Sequence, residues 1–328
     1  MRMGQPAVMI RMPFDSLGKP FGFACGVTMA FGAALSFAVA RAGILGGMVA
    51  EDLVLIRFTV AGLTFLPFLI AWGFPTLAGI GWRRAIILLA TGGPVFALLQ
   101  LGGYTYAPLA HGAVIAPASV TLLSTVIAVV WLRERLTAAH KAGAALAIAG
   151  ILLLGWEGLT HRGGSSAWIG DLMFFGSAVP WAAFSVLLRH WRLDAVRAIA
   201  VVSVLSLAAM WTGYAVLHDV RHLAALPASL VLPQVVAQGV LQGVIGLTAY
   251  SHAIRVLGVS KAVLFPVAVP AISVLIGIPI AGEFPTVVQM AGLGLVTVGL
   301  IAAIGRLHMP GRRVALANNS VPIPKGVS

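Results

Sequence analysis

Gln234, Gln238 and Gln242 stand four residues apart in an otherwise apolar stretch, residues 231–253. On a helix turning 100° per residue they lie at about 0°, 40° and 80°, with His252 back at about 0° and Thr248 at about −40°. One helix face therefore carries five polar side chains. Three amides cannot face hydrocarbon without losing their hydrogen bonds, so this face must look onto other helices or onto water. Two uses fit. One is the polar wall of a solute path. The other is hydrogen bonding between helices, where each such bond contributes about 0.6 kcal/mol on average. Five groups on one helix are more than adhesion needs, which favours the path.

Other residues suit the same chemistry. Pro117, Thr121 and Ser124 share one side of the apolar segment 107–131, and Pro266, Pro270 and Ser273 share the matching side of 260–280. Each proline frees a backbone carbonyl one turn earlier, which at membrane depth is tolerated only inside protein or beside water. These helices either line a cavity and bend there, or kink for packing; Pro94 and Pro180 carry the same two readings. Phe37, Trp181, Phe184, Phe96 and Phe265 lie near segment centres, where they would stack on a flat solute or simply pack. Tyr104 and Tyr250, near segment ends, read as interfacial anchors.

Three charged residues need separate treatment. Arg57 is the one cation placed well inside an apolar segment. It either snorkels, with Asp52 or Glu51 to neutralise it, or faces a cavity, where it would favour a carboxylate-bearing solute. Glu134 and Glu283 precede Thr137 and Thr286 by three residues. Those threonines are expected N-caps, and a carboxylate suits the positive helix end, so both glutamates read as structural. A gating ion pair with Arg133, Arg135 or Lys141 is the alternative for Glu134.

What must position these residues is a set of membrane helices. The chain is 60% hydrophobic and 9% charged, with mean hydropathy +1.01. Apolar runs near 20 residues fall at 20–39, 53–72, 84–103, 107–131, 138–156, 167–188, 198–217, 231–253, 260–280 and 286–305, which predicts ten spans. Seventeen of the 21 Lys and Arg fall on one side of this arrangement; Arg41, Arg162 and Arg221 fall on the other, and Arg57 lies within span 2. The positive-inside rule then puts both termini in the cytoplasm of a cell-membrane protein. The +12 charge does not mark nucleic-acid binding, because the cations sit at span ends and form no single patch. Residues 20–40 resemble a signal peptide ending in Ala38-Val39-Ala40, but the run is long and has a counterpart later in the chain, so it reads as a retained first helix.

That counterpart belongs to a duplication. Residues 113–150 align with 262–299 without a gap at an offset of 149, with identities that include Pro117/Pro266, Ser124/Ser273, Glu134/Glu283, Thr137/Thr286, Gly143/Gly292 and Gly150/Gly299. Phe37 and Trp181 are equivalent as well. Two five-span copies enter the membrane from opposite sides, because five is odd. Inverted repeats of this kind characterise secondary transporters.

Ten spans in two copies, with the fourth-to-fifth span block Pro117, Trp131-Leu132-Arg133-Glu134-Arg135-Leu136-Thr137, Gly143, Gly150 and its partner Pro266, Glu283-Phe284-Pro285-Thr286, Gly292, Gly299, resemble the EamA-type branch of the drug/metabolite transporter superfamily. The resemblance covers about residues 20–306. It implies a central cavity between the copies, alternating access, and export of amino acids or related metabolites. Two departures stand out: Gly282 and Phe284 replace the arginines that flank Glu134, and Tyr104/Tyr250 and Gly112/Gly258 align at an offset of 146 rather than 149. Proton-coupled four-span relatives use a buried glutamate at mid-membrane. The nine acids here lie at span ends, so uncoupled diffusion or solute exchange is expected; coupled protons would fall to His111 or His252.

The expectation is thus an all-α membrane protein of ten transmembrane helices in two inverted five-helix repeats: a cytoplasmic segment 1–19, repeats 20–156 and 167–306, and a disordered cytoplasmic tail 307–328. Its partners are a small-molecule solute and the lipid bilayer. Phe37, Trp181, Gln234, Gln238, Gln242, His252, Thr121, Ser124 and Ser273 would contact the solute. Pro117, Pro266 and Pro270 would bend, and Glu134, Glu283 and Arg57 would serve structure or gating. No cofactor is expected: there is no Walker loop and no metal-ligand spacing. The rival readings are an importer or lipid-linked solute carrier, a non-transporting scaffold or partner subunit, and a membrane enzyme. The last is disfavoured because no acid/base pair shares a depth.

Overall fold

The computed structural model describes residues 18–132, 137–160, 166–217, 225–262 and 264–304. The expected cytoplasmic segment, the 307–328 tail and Glu134 lie almost wholly or wholly outside these. Every regular element among the described residues is helical. In chain order they are α1 (Gly18–Leu45), α2 (Ala50–Ala71), α3 (Trp82–Gly92), α4 (Pro94–Tyr106), α5 (Leu109–Leu132), α6 (Ala138–Thr160), α7 (Ala167–His190), α8 (Ala195–Leu217), α9 (Ala228–Gln234), a π-helix (Val235–Gly246), α10 (Leu247–Leu257), α11 (Val259–Ala262), α12 (Leu264–Ala281) and α13 (Val287–Ile304). A 3-10 turn at Phe74–Thr76 precedes α3. Among the described residues nine helical stretches are long and apolar enough to cross a bilayer, counting α3–α4 and α9–α10 as one each. The segment Val287–Ala303 is apolar but shorter.

Two expected spans are interrupted. The third breaks at Gly93, because Pro94 has no N–H to continue the ladder and sits where α4 begins. For the eighth, the polar spacing predicts one α-helix. Instead its middle 12 residues form a π-helix. Such a segment is usually a single turn, and it recurs at functional sites. Its glycines let it lie against α2: a Cβ on Gly239 would come within 2.7 Å of Val60 Cβ, and one on Gly243 within 3.1 Å of Ala61 Cβ.

The helices pack as two related sets. α1 lies along α12 as α7 lies along α5, α2 lies along α8, and α6 lies along α13. At the last seam, Gly143 opposes the Gly299 carbonyl while Gly150 lies against Gly292, whose carbonyl a Cβ on Gly150 would meet at 2.8 Å. The early glycine of each helix thus faces the late glycine of the other, so α6 and α13 run antiparallel. Leucines, valines and phenylalanines such as Val130, Leu152, Val216 and Leu275 remain exposed around the bundle, as a lipid-facing belt requires.

Candidate functional site

A cavity opens among α2, α3, α4, α7, α8, the π-helix and α10. Both sequence repeats therefore line it. One wall is aromatic. Trp181 stacks on Phe96 (ring centroids 4.4 Å apart, planes at 28°) and on Phe184 (5.2 Å, 30°). The lining also includes Arg57, Phe58 and Ala61 of α2, Gln242 and Gly243 of the π-helix, and Ser203 of α8. Arg57 is 5% exposed although charged.

The glutamine stripe divides in the structure. Gln234 and Gln238 are fully buried between helices. Gln234 Nε2 donates to the Val39 carbonyl at 2.6 Å, in a space left by Gly43. Gln238 Nε2 donates to the Ser36 carbonyl at 2.6 Å, and its Oε1 accepts from Arg57 Nη2. Arginine has only donors, so this amide can point only one way. Gln242 lines the cavity and accepts a long bond, 3.5 Å, from Ser36 Oγ. His252 lies apart from the cavity, against Phe21 edge to face and within 3.1 Å of Arg255 Nη2.

Of the remaining sequence-selected residues, Trp181 lines this cavity. Its repeat equivalent Phe37 packs in the core, with its ring centroid 6.4 Å from that of Tyr104. Thr121 and Ser273 turn their hydroxyls back onto their own helices, to the Pro117 carbonyl (3.0 Å) and the Val269 carbonyl (2.8 Å). Ser124 is half-buried on α5. Pro117 and Pro270 lie inside α5 and α12, and Pro266 near the start of α12. None of these three prolines lines the cavity.

At one end of the bundle the structure assembles polar groups that spacing alone did not bring together. Arg41 Nε meets Glu283 Oε1 at 2.6 Å, and Arg41 Nη1 donates to the Tyr104 carbonyl. Glu283 Oε2 accepts the Leu109 N–H at 2.7 Å, at the start of α5. The carboxylate therefore caps a helix of the other repeat, where the positive end of α5 favours it. Thr286 accepts the Gln289 N–H at 3.1 Å at the head of α13 and donates to Glu157 Oε1 at 2.7 Å. His111 Nδ1 lies 2.7 Å from Asp171 Oδ1, and His111 Nε2 lies 3.9 Å from Glu157 Oε2. Tyr214 donates to Asp52 Oδ1 at 2.6 Å. Among the described residues these side chains do not converge as metal ligands. The positions of these acids near helix ends are legible in the sequence; the meeting of those ends is a property of the fold. The available signal was a single acid, Asp171, four residues into an apolar run.

The model of the EamA-like transporter family matches residues 20–156 and 168–305. The chain belongs to that family. It is a multi-pass membrane protein with two EamA repeats, a transporter of the drug/metabolite superfamily and not an enzyme. No curated protein matches it. A solved structure described only as "Crystal structure of protein" is 22% identical over 85% of this chain and 96% of its own, with a TM-score of 0.58. That likeness concerns the fold alone.

Proposed function

We propose that the chain crosses the cell membrane ten times as two inverted repeats, with both termini in the cytoplasm. We propose further that it is a secondary transporter exporting small polar or amphipathic organic solutes, amino acids or metabolites among them, by alternating access. The observation that carries this reading is the cavity lined by both repeats at mid-helix, with a polar seal at one end. The seal lies at the end expected to face outward. It joins C-termini of α1, α4, α6 and α8 to N-termini of α2, α5, α7 and α13, which is what helices alternating in direction provide. The antiparallel seam of α6 and α13 supports inversion. The cavity is narrow, with a volume of about 50 Å³. That admits about three or four waters, so a solute enters only as helices part.

Alternating access assigns roles to the residues. Gln242, Ser203 and Arg57 meet the polar part of the solute, and Trp181 with Phe96 and Phe184 its flat apolar part. The break at Gly93–Pro94 and the prolines of α5 and α12 permit the repeats to rock. The alternative reading, a non-transporting scaffold or partner subunit, draws on one observation: Gln234 and Gln238 are engaged by neighbouring helices.

The test is counterflow of a labelled panel of amino acids and metabolites in proteoliposomes, wild type beside Gln242→Leu. Exchange by the wild type that falls at least tenfold in the folded variant supports the reading. No exchange of any compound by folded wild type favours the scaffold.

A further inference from the structure

Arg57 sits seven residues into α2, about 10 Å along the helix from its start. A charge at this depth is costly, by several kcal/mol, unless something pairs with it. Nothing in the described chain does. Among the described residues Arg57 has no ion pair, and no acid lines the cavity. Asp52, five residues earlier on α2, lies about 140° round the helix from Arg57, and is engaged elsewhere: it accepts the Tyr214 hydroxyl at 2.6 Å and the Val49 N–H at 3.0 Å. Glu283 is held by Arg41, and Asp171 by His111.

What Arg57 does have is a fixed posture. Gln238 holds Nη2 through its Oε1, and Gln238 is itself anchored on the Ser36 carbonyl. The guanidinium Nε is buried without a hydrogen-bond partner. A neutral amide steadies the cation but does not neutralise it. The Phe96–Trp181–Phe184 stack lines the same cavity, offering a flat apolar face.

The geometry points to Arg57 as the seat of an anionic head group, with the aromatic stack taking the body of the same solute. On the carrier reading above, the substrate class is then a small organic acid with a planar apolar part and a net negative charge. A carboxylate would match the planar fork of the guanidinium and complete its donors. An amine would meet a like charge with no acid to receive it, and a zwitterion would leave its ammonium unpaired in the same place. Monoanions are therefore favoured over zwitterions and amines of equal shape.

Three probes of one shape test this: 3-phenylpropionate, phenylalanine and phenethylamine, titrated calorimetrically into the purified full-length protein. The expected order is 3-phenylpropionate tightest, at least tenfold ahead of the other two. Arg57→Gln should weaken 3-phenylpropionate at least tenfold while leaving phenethylamine unchanged, and Arg57→Lys should recover part of the loss. Should Arg57→Gln fail to fold, Gln238→Glu supplies an internal carboxylate and must cause the same loss. Equal affinity for the three probes, no binding of 3-phenylpropionate, or unaltered binding by either variant overturns the proposal. Counterflow of a neutral or cationic solute that survives Arg57→Gln would overturn it while leaving the carrier reading intact. Binding of 3-phenylpropionate without counterflow of any solute would uphold the anion seat and overturn the carrier.

Discussion

Arg41 and Glu283 lie 242 positions apart in sequence, one on α1 and the other just beyond α12, yet Arg41 Nε and Glu283 Oε1 are 2.6 Å apart. The pair is half-buried, with side chains 13% and 23% exposed. Glu283 Oε2 takes the Leu109 N–H in addition, so one carboxylate ties the second repeat to two helices of the first. Three charge-assisted bonds converge on a junction between the repeats.

On the alternating-access proposal, rocking of the repeats would break this junction. Glu283→Gln removes its charge while keeping its shape. A charge-assisted bond is worth about 1.5–3 kcal/mol when buried and 0.2–1 when exposed, so about 1–2 kcal/mol is expected here. That shifts the balance toward an outward-open state roughly tenfold. In a Ser203→Cys variant that also carries Cys25→Ser, the thiol should then react about tenfold faster with an impermeant maleimide added outside right-side-out vesicles. An unchanged rate would remove the junction as a gate.

The glycine seam makes a prediction of opposite signs on one helix. A Cβ on Gly150 would lie 2.7 Å from Val296 Cγ2 and 2.8 Å from the Gly292 carbonyl, closer than a neighbouring backbone can yield without shifting. Gly150→Ala should destabilise by about 1–3 kcal/mol through overpacking. Gly155, five residues on, has open space around its Cβ position. Gly155→Ala should be neutral or should stabilise by about 0.5–1 kcal/mol, because alanine orders less backbone on folding. Thermal unfolding of the two variants in detergent decides it; equal shifts would mean that α6 and α13 do not meet through these glycines.

The duplicated glycines were plain in the sequence as identities, because a repeat preserves residue type. Their purpose was not, because close approach of two backbones is a property of the packed helices. Arg57 likewise stood out as a cation in an apolar run, with Asp52 beside it in sequence. The fold turns Asp52 toward Tyr214, 162 positions away, and leaves Arg57 to Gln238. The four-residue spacing of the glutamines signalled one polar face. It could not signal a π-helix, whose i→i+5 bonds leave no mark on side-chain type. The position of Glu283 before Thr286 suggests service to the helix that follows it; the structure has it capping α5, which sequence distance hides.

The buried contact of His111 with Asp171 joins α5 to α7, again across the repeats. Removing one partner leaves the other buried without its mate, which costs about 1–3 kcal/mol; removing both costs less than the sum. His111→Leu, Asp171→Leu and the double variant should therefore show a coupling of about 1–3 kcal/mol in a double-mutant cycle on unfolding. Additive effects would mean that the 2.7 Å contact does not stabilise the fold.

Gln238→Leu separates the carrier from the scaffold. The variant removes the acceptor that steadies Arg57 and the donor to the Ser36 carbonyl. Leucine fills a similar volume, so the helices still pack. The neutral bond to Ser36 contributes only about 0.5–1.5 kcal/mol, and the orphaned guanidinium costs more, about 1–3 kcal/mol. A scaffold should register a modest change in stability and nothing else. A carrier should lose exchange at least tenfold while remaining folded, because Arg57 would no longer be held toward the cavity. Unchanged exchange in a folded Gln238→Leu protein would place the solute on groups other than Arg57, with Gln242 and Ser203 the next to replace.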